Sequence, residues 1–314
     1  MKAPIIFLEP VFKEVLWGGA RLKEFDYSIP SSTTGECWAI SAHPAGDCKV
    51  FSIEKDDCYK GYTLSTLFAK RRELFGNVQT REFPILIKII DAKKDLSIQV
   101  HPDDSYALAN ENKPFGKTEC WYILDAVPNA KIIIGHNAKN KKELSDMILN
   151  GRWNDFIREI PVKKGDFFFI PPGTVHAIKG GTLILETQQS SDITYRVYDY
   201  DRTQEGKKRP LHIKQSLDVI NCPFIQTEPP KNESKTVNKN LIQLCSSSYF
   251  SVWKASVKEN LTIEQDQNFL NVSVIEGQGK VDGIQIQKGS NFIIPFEYGK
   301  VCFTGDLELI ISSI

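Results

Sequence analysis

The chain carries no surplus of either charge: 39 Lys and Arg stand against 39 Asp and Glu, a net charge of +0 at pH 7 over 314 residues. A nucleic-acid footprint needs a basic excess or stripe. Neither is present, so any anionic ligand must be held by a few local cations. Long hydrophobic runs are also missing. No stretch approaches the ~20 apolar residues of a membrane span. The start, MKAPIIFLEPVFKEV, is interrupted at Glu9 and is too short in apolar residues for a signal peptide. The seven cysteines, at 37, 48, 58, 120, 222, 245 and 302, are odd in number and contain no C-x-x-C. That argues against a disulfide framework and predicts reduced thiols in a cytoplasmic protein. The sequons at Asn232, Asn260 and Asn271 then carry no meaning. Two further motifs are incomplete. GKT at 116–118 would need a glycine where Glu111 stands to be a phosphate loop, and GQGKVDG at 277–283 has its last glycine one residue too far for a dinucleotide loop.

What is present is a succession of short strands punctuated by glycine and proline. In SIQVHPDD (97–104), Ile98 and Val100 alternate with Gln99 and His101, and Pro102 stops the ladder. Residues 84–101 read as two strands joined by a charged turn. CWYILDA and KIIIGH read as a hairpin around VPNA. TLSTLFAKRRELFG (63–76) is helical, capped by Thr63 or Ser65 and closed by Gly76; residues 137–160 read as two short helices broken at Gly151, and 210–220 as one more. The pattern predicts a mainly β protein of antiparallel barrel or jelly-roll type, with helices inserted at about 56–82 and 137–160. GDFFFIPPG (165–173) and GSNFIIPFE (289–297) repeat a glycine, five residues, then a proline. Two similar barrels are expected: a catalytic one over 1–225, a linker at 226–240, and a second over 241–314 without a site.

Five histidines occur, at 43, 101, 136, 176 and 212. His101 ends a strand beside Gln99, His176 follows the tight turn of IPPGTV, and Glu119 opens the strand of TECWYIL. If those strand ends meet at one barrel mouth, two imidazoles and a carboxylate form a metal site suited to zinc or iron, with Gln99 oxygen as a fourth ligand. His43, His136 and His212 read as structural or ordinary core and surface residues.

The spacing Gly165-x5-Pro171-x-Gly173-x2-His176 resembles the second motif of the cupin superfamily. LSIQVHPDD, GKTECWYIL, IPPGTVHAI and YRVYDYDR, in that order, resemble the type I phosphomannose isomerases in their short bacterial form. The resemblance runs from about Glu9 to the 210–220 helix, and the tail fits a degenerate second cupin half. It implies two cupin domains and a zinc-dependent interconversion of mannose 6-phosphate and fructose 6-phosphate through a cis-enediol. It also implies one Zn2+ per chain on Gln99, His101, Glu119 and His176. The family's essential arginine falls on Arg196, a lysine beside the metal carboxylate on Lys117, and an aspartate seen in some members on Asp192. Ser97, Trp17 and Glu186 match residues of the substrate pocket.

The chemistry of the residues agrees. Moving a proton between C1 and C2 needs stabilised oxygens and an acid/base group, and a phosphate needs a cation. Arg196, Arg202 and Lys117 are candidates for the cation; Asp192, Glu186 or a water held by the metal are candidates for the base. Two other readings use the same fold: an iron cupin dioxygenase, and a sugar-phosphate-binding cupin without catalysis. The expected partner is a hexose 6-phosphate, with no nucleic acid and no membrane. Nothing in the sequence sets the oligomeric state.

Overall fold

The computed structural model describes residues 3–51, 58–204, 206–231 and 239–314. The first two positions of the expected 56–82 insertion, part of the expected linker and the Asn232 sequon lie outside the described residues. Among the described residues no helix is long and apolar enough to cross a membrane.

The described residues form three large antiparallel sheets and two short two-stranded ones. A six-stranded sheet runs in the order Phe167–Ile170, Glu119–Ala126, Thr182–Gln189, Ile85–Ala92, Thr34–Ile40, Val11–Glu14. A five-stranded sheet runs Ile157–Pro161, Lys131–His136, His176–Ile178, Ile98–Val100, Tyr195–Tyr198. Between them lies an apolar cluster that includes Ile90, Trp121, Ile123, Ile132, Ile134, Ile178 and Ile184. The two sheets are the walls of the first jelly roll.

Alternation along the strands explains what faces what. On Ile85–Ala92, Ile90 joins this inner cluster, whereas Ile85, Ile87 and Ile89 join a second cluster on the sheet's other side. That second cluster contains Phe68 of the helix Leu64–Lys70 and Cys245, Val252, Phe269 and Ile310 of the C-terminal half. Both faces of the central strands are therefore covered, and all eight residues of Ile85–Ala92 and of Thr182–Gln189 are buried. The outer face of the five-stranded sheet is covered by the helices Lys141–Leu149 and Ile213–Val219.

The third sheet holds Leu241–Ser246, Ser251–Gln265, Gly299–Ser313, Leu270–Val281, Ile284–Gln287 and Asn291–Ile294, together with Ile6–Glu9 and Lys49–Phe51 from the N-terminal region. Ile6 pairs with Ile293 and Phe7 with Phe292. Hydrogen bonding thus crosses from the first fifty residues into the last seventy-five. The repeated glycine–proline frames occupy equivalent places. Gly165 (φ 90°) and Gly289 (φ 92°) each make the left-handed turn that starts a four-residue strand.

Three local expectations differ from the structure. CWYILDA and KIIIGH are joined by a turn but are not a hairpin: Glu119–Ala126 pairs with Phe167–Ile170 and Thr182–Gln189, and Lys131–His136 with Ile157–Pro161 and His176–Ile178. The turn is a corner between sheets, and turn chemistry is the same for both outcomes. The second helix of the 137–160 insertion stops at Phe156, and Ile157–Pro161 becomes an edge strand. Asp104–Glu111 is a helix that the strand-and-turn reading of this region did not include. Asp103 caps it by accepting from the Tyr106 N–H at 2.8 Å.

Candidate active site

The polar residues of the first jelly roll gather at one end of its interior. Gln99 lies between two strands, opposite His176 on one side and Arg196 on the other. Across the barrel, Gln188 lies opposite Glu119, and Glu186 opposite both Trp121 and Lys88. Further along the same strands the partners become Ile184, Ile123 and Ile90. One inner surface is therefore polar at the mouth and apolar below.

Turns set the two histidines. Gly173 (φ 78°) donates its N–H to the His101 carbonyl at 2.9 Å, tying the strand that carries one histidine to the loop that leads to the other. A Cβ at Gly173 would stand 2.5 Å from the Asn221 side chain. Gly116 has a similar duty. The chain passes so close to the start of the Asp104–Glu111 helix that a Cβ there would lie 2.4 Å from the Asp103 backbone carbon. Lys117 N–H then donates to the Pro102 carbonyl at 3.0 Å, which places the Lys117 ammonium beside His101.

The expected ligand residues meet. His101 Nε2 is 3.2 Å from His176 Nε2 and 3.4 Å from Glu119 Oε2; His176 Nε2 is 3.2 Å from Glu119 Oε1. Gln99 Nε2 is 3.3 Å from His176 Nε2. Each imidazole donates its Nδ1–H outward to a carbonyl: His101 to Ile193 at 2.8 Å and His176 to Thr174 at 2.9 Å. A carbonyl only accepts, so the protons are on Nδ1 and both Nε2 lone pairs point inward. Burial pushes the His101 imidazolium down to about 3 and lowers His176 as well, so both rings are neutral. Burial alone would raise the Glu119 carboxyl, but the Lys117 ammonium outweighs it and holds the carboxyl well below its usual range. Both Glu119 oxygens are buried and accept no hydrogen bond, while the Lys117 ammonium lies 2.9 Å from one of them. Lys117 lies 3.0 Å from His101 Nε2 and 2.9 Å from one Glu119 oxygen, and the other Glu119 oxygen and His176 Nε2 converge beside them, an arrangement that suits a cation. His101, Glu119 and His176 form a buried group able to hold a metal ion, with ligand atoms within 4.8 Å of one another.

A second polar cluster continues along the wall. Glu186 accepts from Trp121 Nε1 at 3.0 Å and faces the Lys88 ammonium at 3.3 Å; Trp121 packs edge-on against His176. Lys88 also reaches Glu36 at 4.0 Å and lies over the Trp38 ring, whose Nε1 donates to Glu36 at 2.7 Å. Lys88 and Glu36 were not identified from the sequence. The available signal was a lysine in the otherwise apolar run ILIKII.

The remaining candidates are dispersed. Arg196 donates from Nη1 to the Pro210 carbonyl at 2.9 Å and leaves its buried Nε–H without a partner. Burial and the nearby Arg209 and Arg202 lower its pKa. Arg202 is engaged elsewhere, with its guanidinium on Asp199 and on the Asp95 carbonyl. Trp17 packs in the apolar inner cluster. Ser97 is buried immediately before the strand that carries Gln99. Asp192 is half exposed and 3.6 Å from His43 Nε2.

Comparison with known proteins fits this layout. Residues 5–122 match the family model described as phosphomannose isomerase type I, catalytic domain, and 240–314 match mannose-6-phosphate isomerase, cupin domain. The mannose-6-phosphate isomerase ManA of Bacillus subtilis is 46% identical, with 98% of each chain covered. The chain belongs to the type I phosphomannose isomerases. The mannose-6-phosphate isomerase of Streptococcus mutans is 48% identical, with 98% of this chain and 97% of that one covered. The crystal structure of the Bacillus subtilis mannose 6-phosphate isomerase superposes with a TM-score of 0.94 at 46% identity, covering 99% of this chain and 100% of that one. Family membership therefore spans both barrels, including the half without the histidine–glutamate group.

Proposed function

We propose that the chain is a mannose-6-phosphate isomerase acting at a zinc ion held by Gln99, His101, Glu119 and His176. The observation that carries this reading is the buried cluster of inward lone pairs around Glu119, in a chain of this family over its whole length. Two neutral imidazoles and a carboxylate are a donor set that suits zinc, and turning the Gln99 amide by 180° presents its oxygen as a fourth ligand. Bound zinc would supply Lewis-acid polarisation of the sugar oxygens at C1 and C2.

The chain's own residues do the rest. The Lys117 ammonium, fixed between His101 and Glu119, places positive charge where negative charge develops on the sugar oxygens. Arg196, opposite Gln99 and with a free Nε–H, offers a planar fork to an anionic group. Asp192 is our choice of base. Glu119 belongs to the ligand group, and Glu186 and Glu36 are engaged by Trp121, Trp38 and Lys88, whereas the Asp192 side chain is 53% exposed. In the forward reaction the C2–H bond breaks, its proton goes to Asp192 and its electron pair forms the C1=C2 bond, leaving a cis-enediolate with its negative charge on O1. The same proton then returns to C1, while the O2 hydroxyl proton moves to O1. Residues 1–225 carry this chemistry, 226–240 connect, and 241–314 brace the barrel from behind.

The test is turnover of mannose 6-phosphate to fructose 6-phosphate before and after chelation, with zinc restored. Activity that disappears with chelator and returns with zinc supports the proposal. Folded, zinc-loaded protein that turns over no hexose 6-phosphate overturns it.

A further inference from the structure

We infer that His43 is a positioning residue for the isomerisation: it holds the Asp192 carboxylate in the orientation from which it moves the proton between C2 and C1. The inference rests on the reading above that Asp192 is the base.

His43 and Asp192 are far apart in sequence and meet only through the fold. His43 ends the short strand Ala42–His43, paired with Gly46–Asp47. Two contacts hold its ring and a third holds its backbone. Nδ1 accepts the Ala45 N–H at 3.2 Å, the ring stands edge-on to Trp38 with centroids 5.6 Å apart, and its backbone N–H donates to Ser41 Oγ at 3.2 Å. Because Nδ1 is an acceptor, the neutral ring carries its proton on Nε2. That atom faces Asp192 Oδ1 at 3.6 Å. A buried ring with a fixed tautomer thus lies at ion-pair distance from a half-exposed carboxylate.

The surroundings assign no other duty to this contact. Besides His43, the charged group acting on Asp192 is Lys113, and both favour the ionised carboxylate. An exposed aspartate without a fixed partner turns freely about its side-chain torsions, and a misplacement of ~1 Å at a reacting group costs up to about 100-fold in rate. Trp38, which fixes His43 on one side, is fixed in turn by Glu36, Lys88 and Lys13. The histidine is therefore attached to the same rigid wall as the rest of the site.

The experiment is a double-mutant cycle on the zinc-loaded enzyme. His43→Ala is expected to lower kcat by ~10–100-fold, the range for a displaced acid–base group. KM, zinc content and Tm should stay near those of the parent. The primary isotope effect on kcat with mannose 6-phosphate deuterated at C2 should rise, because proton transfer becomes slower relative to the other steps. His43→Gln, which keeps an N–H where Nε2 stands, should recover most of kcat. His43→Asn, which reproduces only Nδ1, should not. Added to Asp192→Asn, His43→Ala should cause no further loss. A full additive loss in that background, or Gln no better than Asn, overturns the inference while leaving Asp192 as base. Wild-type kcat in Asp192→Asn overturns the choice of base and this inference with it. Should His43→Ala fail to fold, the Gln and Asn pair carries the same comparison.

Discussion

His101 and His176 show one device used twice. A backbone carbonyl takes the Nδ1 proton, so the Nε2 lone pair has only one direction left. Removing any member of the cluster should release the others. His176→Ala and Glu119→Ala are each expected to lose zinc, with affinity reduced by ~100-fold or more, and to lose turnover with it. Metal content after dialysis checks this, and full occupancy in both variants would refute the ligand assignment. Arg196→Ala should keep its zinc and lose kcat, because its guanidinium hydrogen-bonds the Pro210 carbonyl and is not itself a metal donor. Asp199 is a residue of another kind. It sits buried under Arg202 and Arg209, which hold its carboxyl below the usual range despite burial, and Arg196 stands nearby. A carboxyl depressed in the folded state contributes stability above its unfolded pKa and loses it as pH falls through the folded one. Asp199→Asn should therefore destabilise by about 3 kcal/mol at neutral pH. The difference from the parent should shrink below about pH 4, near the ordinary carboxylate value. Denaturant melts across pH measure both.

At the scale of elements, close approaches position the side chains. The segment through Gly116 is pressed against the start of the Asp104–Glu111 helix, and this contact delivers Lys117 to His101. Gly116→Ala forces two backbones apart, and Gly173→Ala adds a positive-φ penalty of about 1–3 kcal/mol to a clash with Asn221. Gly173→Ala is expected to lower Tm and zinc affinity together, since it moves the turn that leads to His176. Unchanged zinc affinity in a folded Gly173→Ala protein would show that the turn does not set the ligand.

In the whole molecule, the two barrels are interlocked and do not sit as separate beads. Ile6–Glu9 pairs with Asn291–Ile294, and Phe269 packs against Phe75 and Phe83 at centroid distances of 5.5 and 5.3 Å. Phe269→Ala should cost about 3–5 kcal/mol, read as a fall in Tm, with kcat of the folded fraction unchanged. A chain ending at residue 240 would uncover the part of the six-stranded sheet's outer face that Cys245, Val252, Phe269 and Ile310 cover, and it is expected to aggregate. A zinc ion held as proposed would bind only the folded state, so chelation should lower Tm, by an amount that grows with the affinity.

Much of the group that gathers at the barrel mouth was legible in the sequence from local punctuation: Pro102 ends a strand beside Gln99 and His101, and a proline–glycine turn precedes His176. The β-rich class was legible for the same reason, since alternation and turn residues act over a few positions. Thr63 as a cap, accepting from the Thr66 N–H, and Gly76 as the left-handed stop belong to this class too. Other features depended on partners distant in the chain. Whether the turn at 127–130 makes a hairpin or a corner is decided by strands at 157–189, and a lysine in an apolar strand becomes a site residue only when Glu186 and Glu36 lie beside it. Arg202 was drawn away from the site by Asp199, and His43 was brought to Asp192, by contacts that no spacing encodes. Local backbone preference is written residue by residue, whereas the pairing of faces is settled by burial over the whole chain, and only the folded molecule expresses it.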